Sequence, residues 1–337
     1  MAQSTKERLS AASSEERPPA PGLTLTLDEG SAATPGSGPA VTVRATRLGR
    51  FTLLHQLGEG GMGAVFAAYD QQLDRRVALK LLHQHHCDSP LQRQRTLQEA
   101  RAAARISHPN VTAVYEVGES DSYIYIAMEY VDGETLSARQ ARGGQSWREI
   151  LDMYLHAGAG LAAAHAVGVV HRDFKPDNVL CGRDGRLRVA DFGIARIDWT
   201  YGRALSPESA GAAITDAGQS GPGAGGRLTV PGTISGTPGY MSPEQYRSGN
   251  VDSRSDQWSF CAALFEALYG YLPFAGYALQ DRADKVHGPP LPPPRDTQVP
   301  EEVHRALLRG LAVVPEQRFS SMAELLAELS VQQGDDA

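Results

Sequence analysis

Apolar residues first fall into a pattern near Phe51. Residues 1–46 are rich in Ser, Pro, Gly, Ala and Thr and hold no sustained period, so they predict a disordered tail. From there short apolar runs alternate with turns. F-T-L-L-H-Q-L at 51–57, V-F-A-A-Y at 65–69 and V-A-L-K-L-L at 77–82 each predict a strand. Ser89-Pro90 predicts a helix start with proline in the first position, and His108-Pro109 a stop, for a charged helix running to about Ile106. V-T-A-V-Y-E-V and S-Y-I-Y-I-A-M-E-Y then predict two more strands.

After Gly133 the period changes to that of helices. Ser146 and Glu149 form a capping box, and Leu151, Tyr154, Leu155, Leu161, Ala162 and His165 share a helical face that ends at Gly168. Further helices are predicted over about 255–269, 300–311 and 320–330. The order predicts an α+β chain: a strand-rich part with one helix, then a larger helical part, with a cleft between them. Two stretches interrupt it. Residues 201–228 are Gly/Ala/Ser-rich and predict a mobile loop, and G-P-P-L-P-P-P at 288–294 an extended polyproline segment.

Composition narrows the class. With 337 residues and 41% hydrophobic content the chain can bury a large core, and a formal charge of −7 without Lys/Arg runs gives no nucleic-acid footprint. Three scattered cysteines without a C-x-x-C pair, no apolar leader and no uninterrupted apolar span predict a cytoplasmic protein without a membrane segment.

Five strings carry candidate chemistry, and their order says more than any one alone. G-E-G-G-M-G-A-V at 58–65 sits between two strands, where glycines let backbone N–H groups approach phosphates. A dinucleotide-binding loop uses similar glycines but leads into a helix, and here a strand follows. In V-A-L-K the Lys80 ammonium can reach a nucleotide's phosphates, and Glu99 on the next helix is the candidate counter-charge. H-R-D-F-K-P-D-N at 171–178 is the sharpest string. Asp173 can orient a hydroxyl and take its proton, Lys175 can neutralise growing phosphate charge, and Asn178 offers an oxygen to a metal ion. In D-F-G at 191–193, after the strand-like L-R-V-A, Asp191 is a second oxygen ligand. G-T-P-G-Y-M-S-P-E at 236–244 ends on Glu244, with Arg318 as its candidate buried partner.

Together these strings resemble the bacterial eukaryotic-type Ser/Thr protein kinases over about residues 49–330, and S-D-Q-W at 255–258 extends the match. The resemblance implies a bilobal fold, with an N-terminal lobe at 47–132 and a C-terminal lobe at 133–330, flanked by tails at 1–46 and 331–337. Loop 201–228 then inserts into the activation segment. It also implies nucleotide contacts from Leu57, Gly58, Gly60, Gly61, Gly63, Val65, Ala78, Lys80, Met128, Glu129 and Val131. Met128 takes the gatekeeper position, His171 supports D-F-G, and Asp256 braces the catalytic loop. Lys175 and Thr237 point to Ser/Thr rather than Tyr substrates. The cofactors implied are ATP and Mg²⁺, with Mn²⁺ as a substitute. The reaction is in-line transfer of the γ-phosphoryl group without a phospho-enzyme intermediate. Departures are small: Leu79, Phe174 and Ser242 replace the usual Ile, Leu and Ala, and none removes a charge or a metal ligand.

Arg172, just before the catalytic Asp, calls for an anion. Phosphorylated Thr229 or Thr233 can supply it, with Ser235 a weaker candidate. The expected partners are protein substrates, including a second copy acting in trans through a transient dimer, and no nucleic acid. Two rivals stay on the same fold. One is a nucleotide-binding scaffold without catalysis, set against the filled catalytic positions. The other is a small-molecule phosphotransferase, set against the G-T-P-G-Y…P-E segment. His83, His85, His86 and Cys87 form a donor cluster that no second cluster completes, and they read as a solvated loop. Trp147, Trp199 and Trp258 read as packing residues.

Overall fold

The computed structural model describes residues 47–60, 63–82, 90–120, 123–192, 238–246, 251–274 and 288–331. The expected tail at 1–46, the loop at 201–228, the cluster at 83–87 and Gly61, Thr229, Thr233, Ser235 and Thr237 lie outside the described residues.

Period-two alternation builds the first half. β1 (Arg47–Leu48), β2 (Phe51–Gly60), β3 (Gly63–Asp70), β4 (Arg75–Leu82), β5 (Val114–Ser120) and β6 (Tyr123–Glu129) form a sheet in the order β1-β2-β3-β4-β6-β5. Every pairing in it is antiparallel. The central strand β4 sends Val77, Leu79 and Leu81 to one face, into a cluster with Phe51 and Phe66. Ala78 and Leu82 point to the other face, which α1 (Pro90–Ala103) covers with Leu97 and Ala100. By the same alternation Lys80 lies on the α1 face. Gly63 has to be glycine: a Cβ there would stand 1.9 Å from the Leu81 carbonyl oxygen.

α1 stops at Ala103, short of the Ile106 expected from sequence. Its last turn tightens, with Arg105 N–H donating to Ala102 and Ile106 N–H to Ala103, before the His108-Pro109 stop is reached.

The second half is helical: α2 (Leu136–Ala141), α3 (Trp147–Ala166), α4 (Pro243–Tyr246), α5 (Ser253–Tyr269), α6 (Glu301–Gly310) and α7 (Met322–Val331). The Ser146–Glu149 capping box opens α3 and Gly168 follows its end at φ +76°. On the apolar face of α3, Leu151, Tyr154 and Leu161 are fully buried, while Leu155, Ala162 and His165 are half-buried at its edge. α5 is buried nearly all round, so it serves as the core post of this half. Trp258 stacks on Phe274 with ring centroids 5.2 Å apart, a packing role.

L-R-V-A, strand-like in the sequence, forms β9 (Leu187–Val189), which pairs in a small sheet with β7 (Gly133–Thr135) and β8 (Val179–Gly182). The sequence reading missed α2, β7 and β8, and the two strands are too short to show a period. The sheet lies between the halves. Thr112 N–H donates to Val189 O, and Asn110 joins β9 through its carbonyl and its side-chain amide. Among the described residues no helix is long and apolar enough to cross a membrane.

Candidate active site

The catalytic-loop string lies between α3 and β8. It holds its shape through one buried carboxylate. Asp256, fully buried near the start of α5, accepts from the backbone N–H of His171 and of Arg172, each at 2.8 Å, and from His165 Nε2 at 2.7 Å. Burial opposes its ionisation, but the hydrogen bonds from the His165 side chain and the His171 backbone N–H outweigh that, and its pKa falls below the ordinary carboxyl value. The anchor lets Arg172 adopt φ +67°, unusual for a residue with a side chain. His165, taken from sequence as a core or surface residue, is part of this anchor.

His171 connects the loop to Asp191. Its Nε2 lies 2.8 Å from Ala190 O, its Nδ1 accepts from Asp173 N–H at 3.3 Å, and its ring centroid is 4.8 Å from that of Phe192. A carbonyl facing one nitrogen and an N–H facing the other select the neutral Nε2–H tautomer. Asp191 also has a positive φ, +65°.

Five expected residues, Lys80, Asp173, Lys175, Asn178 and Asp191, make contacts here. Lys175 Nζ lies 2.8 Å from Asp173 Oδ2. Asn178 Nδ2 donates to Asp173 O at 2.8 Å, with a longer contact to Oδ2 at 3.3 Å. Its amide nitrogen is thereby committed to Asp173, which leaves its Oδ1 for another partner. Asp191 Oδ1 receives Lys80 Nζ at 2.8 Å. Burial works against ionisation of Asp191, yet the Lys80 ammonium prevails and the carboxyl pKa is lowered. An ionised carboxylate and an amide oxygen are hard donors that suit a small divalent cation sharing its shell with phosphate oxygens. Among the described residues no group of three or more His, Cys, Asp or Glu could hold a metal by itself.

One expected pairing is corrected. Lys80, only 4% exposed, takes its counter-charge from Asp191 and not from Glu99. Glu99 Oε1 lies 3.7 Å from Arg172 Nη1. A buried ammonium needs an anion, and the D-F-G carboxylate is the one within contact.

Among the described residues, those expected to contact a nucleotide lie on β2, β3, β4 and β6 and just beyond β6. Ala78 and Met128 are buried and paired across β4 and β6, and Val65 sits opposite Lys80 on β3. Leu57 is exposed, as are Gly58 and Gly60 at the end of β2, and Val131 is half-buried beyond β6. Glu129 ends β6, where Arg188 Nε reaches its Oε1 at 2.8 Å. The sequence reading missed Arg188. A charged residue between buried Leu187 and Val189 was the available signal.

The P-E segment closes the site from below. Arg318 Nη1 and Nη2 reach the two Glu244 oxygens at 2.8 and 2.9 Å, and Ser255 Oγ donates to Glu244 at 2.6 Å. Burial pushes the Glu244 pKa up and Arg318 pulls it down further, for a net lowering. Gln245, also missed from sequence, donates from Nε2 to Arg172 O at 2.7 Å. This ties the segment to the catalytic loop. Tyr240 Oη donates to the Glu266 carboxylate.

A protein kinase domain model matches residues 51–329 of the chain. The chain is 35% identical over 287 residues to the Mycobacterium tuberculosis serine/threonine-protein kinase PknB, covering 83% of this chain and 42% of that protein. It is 34% identical over 316 residues to Pkn1 of Myxococcus xanthus, covering 90% of this chain and 41% of that protein. Against PrkC of Bacillus subtilis the identity is 32% over 284 residues, with coverage of 83% and 40%. The chain therefore spans about two fifths of the length of these relatives. Among solved structures it is similar to the M. tuberculosis PknI kinase domain. There the TM-score is 0.62 at 26% identity, over 86% of this chain and 99% of the other.

Proposed function

The chain belongs to the protein kinase family, and on that footing we propose that it transfers the γ-phosphoryl group of ATP to Ser and Thr hydroxyls of proteins. The observation that carries this reading is the meeting of the Asp173 carboxylate with Lys175 and Asn178, beside an Asp191 held ionised by Lys80.

Asp173 orients the substrate hydroxyl and accepts its proton. Its bond to Lys175 fixes the carboxylate's orientation and places the ammonium beside the attacking oxygen. Lys80 and Lys175 supply positive charge where negative charge spreads over the phosphoryl oxygens. Asn178 and Asp191 are the residues that would hold Mg²⁺, with Mn²⁺ as a substitute. When bound, the ion supplies neutralising charge across the phosphates. Asp256 and Gln245 bind no reactant and fix the loop that carries Asp173.

Protein substrates are favoured over small molecules by the segment at 238–246. It is pinned by Glu244 to Arg318 and by Gln245 to the backbone of Arg172 in the catalytic loop, which fits a docking site for a polypeptide beside Asp173. Autophosphorylation at Thr229 or Thr233 is part of the proposal, because Arg172 is positioned to receive an anion and now holds a carboxylate.

The test is incubation of the purified chain with Mg-ATP and a generic Ser/Thr-containing protein such as casein. Phosphate should appear on serine and threonine of casein and of the chain. Phosphate on an aminoglycoside and none on protein would replace this reading with the small-molecule one. ATP binding with no transfer to any acceptor would leave a scaffold.

A further inference from the structure

We propose that Arg188 is a nucleotide-positioning residue that sets where the connection from β6 to β7, and with it the adenine side of the cleft, stands relative to Asp191. The inference rests on the nucleotide-binding reading above.

Arg188 lies on β9 and is 3% exposed. A guanidinium buried to that degree needs each edge of its fork occupied. Its Nε meets Glu129 Oε1 at 2.8 Å. Nη1 and Nη2 meet the two Asp184 oxygens at 3.1 and 2.7 Å, and Nη1 also donates to Arg186 O at 3.3 Å. The Asp184 pair is the stronger anchor: Arg188 and Arg186 hold the Asp184 carboxyl far below its ordinary pKa. One end of the side chain is thus fixed on its own hairpin, and the other grips the last residue of β6.

That grip falls where the chain leaves the large sheet. Glu129 N–H donates to Ala113 O at 2.8 Å, and its second carboxylate oxygen faces Ala113 N–H at 3.5 Å. Beyond it, Asp132 O accepts from Arg183 N–H at 2.8 Å, again on the β8–β9 hairpin. Residues 129–132 are therefore held to that hairpin at both ends, by Arg188 at one and by Arg183 at the other. The hairpin runs directly into Asp191. The groups expected to meet adenine and the group expected to meet the phosphates are then referred to one rigid element, with Arg188 as the side chain that joins them. A single lysine could not replace it, because one ammonium cannot fork between Glu129 and the bidentate Asp184.

The test uses the full chain with substitutions Arg188→Met, Arg188→Lys, Glu129→Met and the Arg188→Met/Glu129→Met double. ATP affinity is read by calorimetry, transfer by KM and kcat, and folding by thermal melting. Arg188→Met should weaken ATP binding and raise KM for ATP about tenfold, with kcat at saturating ATP within about threefold of the parent. Arg188→Lys should fall between the two, and it carries the test if Arg188→Met does not fold. In the double variant the losses should be clearly less than additive, because both substitutions cut the same contact. Unchanged ATP affinity in a folded Arg188 variant, or fully additive losses in the double, overturns the proposal. Calorimetry separates this outcome from failure of the kinase reading. A parent chain that binds ATP but phosphorylates nothing would sink that reading while leaving the effect of Arg188 on binding measurable.

Discussion

Arg172 holds Glu99 at 3.7 Å while Lys80 holds Asp191 at 2.8 Å. The two cations and two carboxylates could pair otherwise, with Glu99 on Lys80 and Arg172 left for a phosphate. On the proposed reading, in which Arg172 receives an activation-segment phosphate, the helix glutamate occupies that place in the observed pairing.

The first prediction follows from that competition. A phosphothreonine carries more charge and more acceptor oxygens than a carboxylate, so it should displace Glu99 from Arg172 and free it for Lys80. Autophosphorylated protein should be faster than dephosphorylated protein by on the order of tenfold. Arg172→Met should erase the difference, as read by initial rates before and after phosphatase treatment. An undiminished phosphorylation gain in Arg172→Met would show that the anion binds elsewhere.

Asp173→Asn tests the proton acceptor. The amide keeps its size and part of its hydrogen bonding but cannot take a proton at neutral pH. Transfer should fall by roughly 10²–10⁴-fold, with ATP affinity changed little. A rate within a few-fold of the parent would remove Asp173 from the proton-accepting role.

Glu244 and Arg318 predict a pH dependence of stability. Glu244 has a lowered pKa in the folded protein, so its contribution is present above the unfolded value and is lost as pH falls through the folded one. Arg318 has a fully buried side chain, and Glu244→Ala should cost about 3 kcal/mol at pH 7. The gap in Tm between parent and variant should begin to narrow as the pH falls below the ordinary glutamate value of about 4.3, and close once it passes the lowered value in the folded protein. A gap that stays constant from pH 7 to pH 3 would mean that the charge of Glu244 contributes nothing.

Gly160 lies inside α3, where alanine would ordinarily raise helix stability. In this fold a Cβ would stand 2.4 Å from the Asn110 carbonyl oxygen, the group that accepts from Val189 N–H. Gly160→Ala should therefore destabilise by about 1–3 kcal/mol, measured by chemical denaturation. A stabilised variant would show that α3 can shift without disturbing β9.

Much of the site was legible because its parts are short strings whose chemistry is local. Asp173, Lys175 and Asn178 lie within one turn of backbone, so nearness in sequence already implied nearness in space. The position of Lys80 on the α1 face followed from strand alternation around Ala78 and Leu82. β7 and β8 escaped because strands as short as Gly133–Thr135 carry no period, whereas the apolar L-R-V-A before D-F-G marked β9. Arg188, Gln245 and His165 escaped because their types are common and their partners lie far away along the chain.

Read alone, the amino-acid order determined which chemical groups the protein owns, which of them share a strand face or a loop, and to which family of folds the succession of elements resembles. Only the folded chain decided how those groups pair. Lys80 and Arg172 each had two carboxylates within plausible reach. The choice between Glu99 and Asp191 was made by where α1 packs against the sheet and where Asp256 pins the catalytic loop. A pairing of charges depends on ångström-scale separations between elements, and such separations come from the packing of the whole core, which no local pattern of residues records.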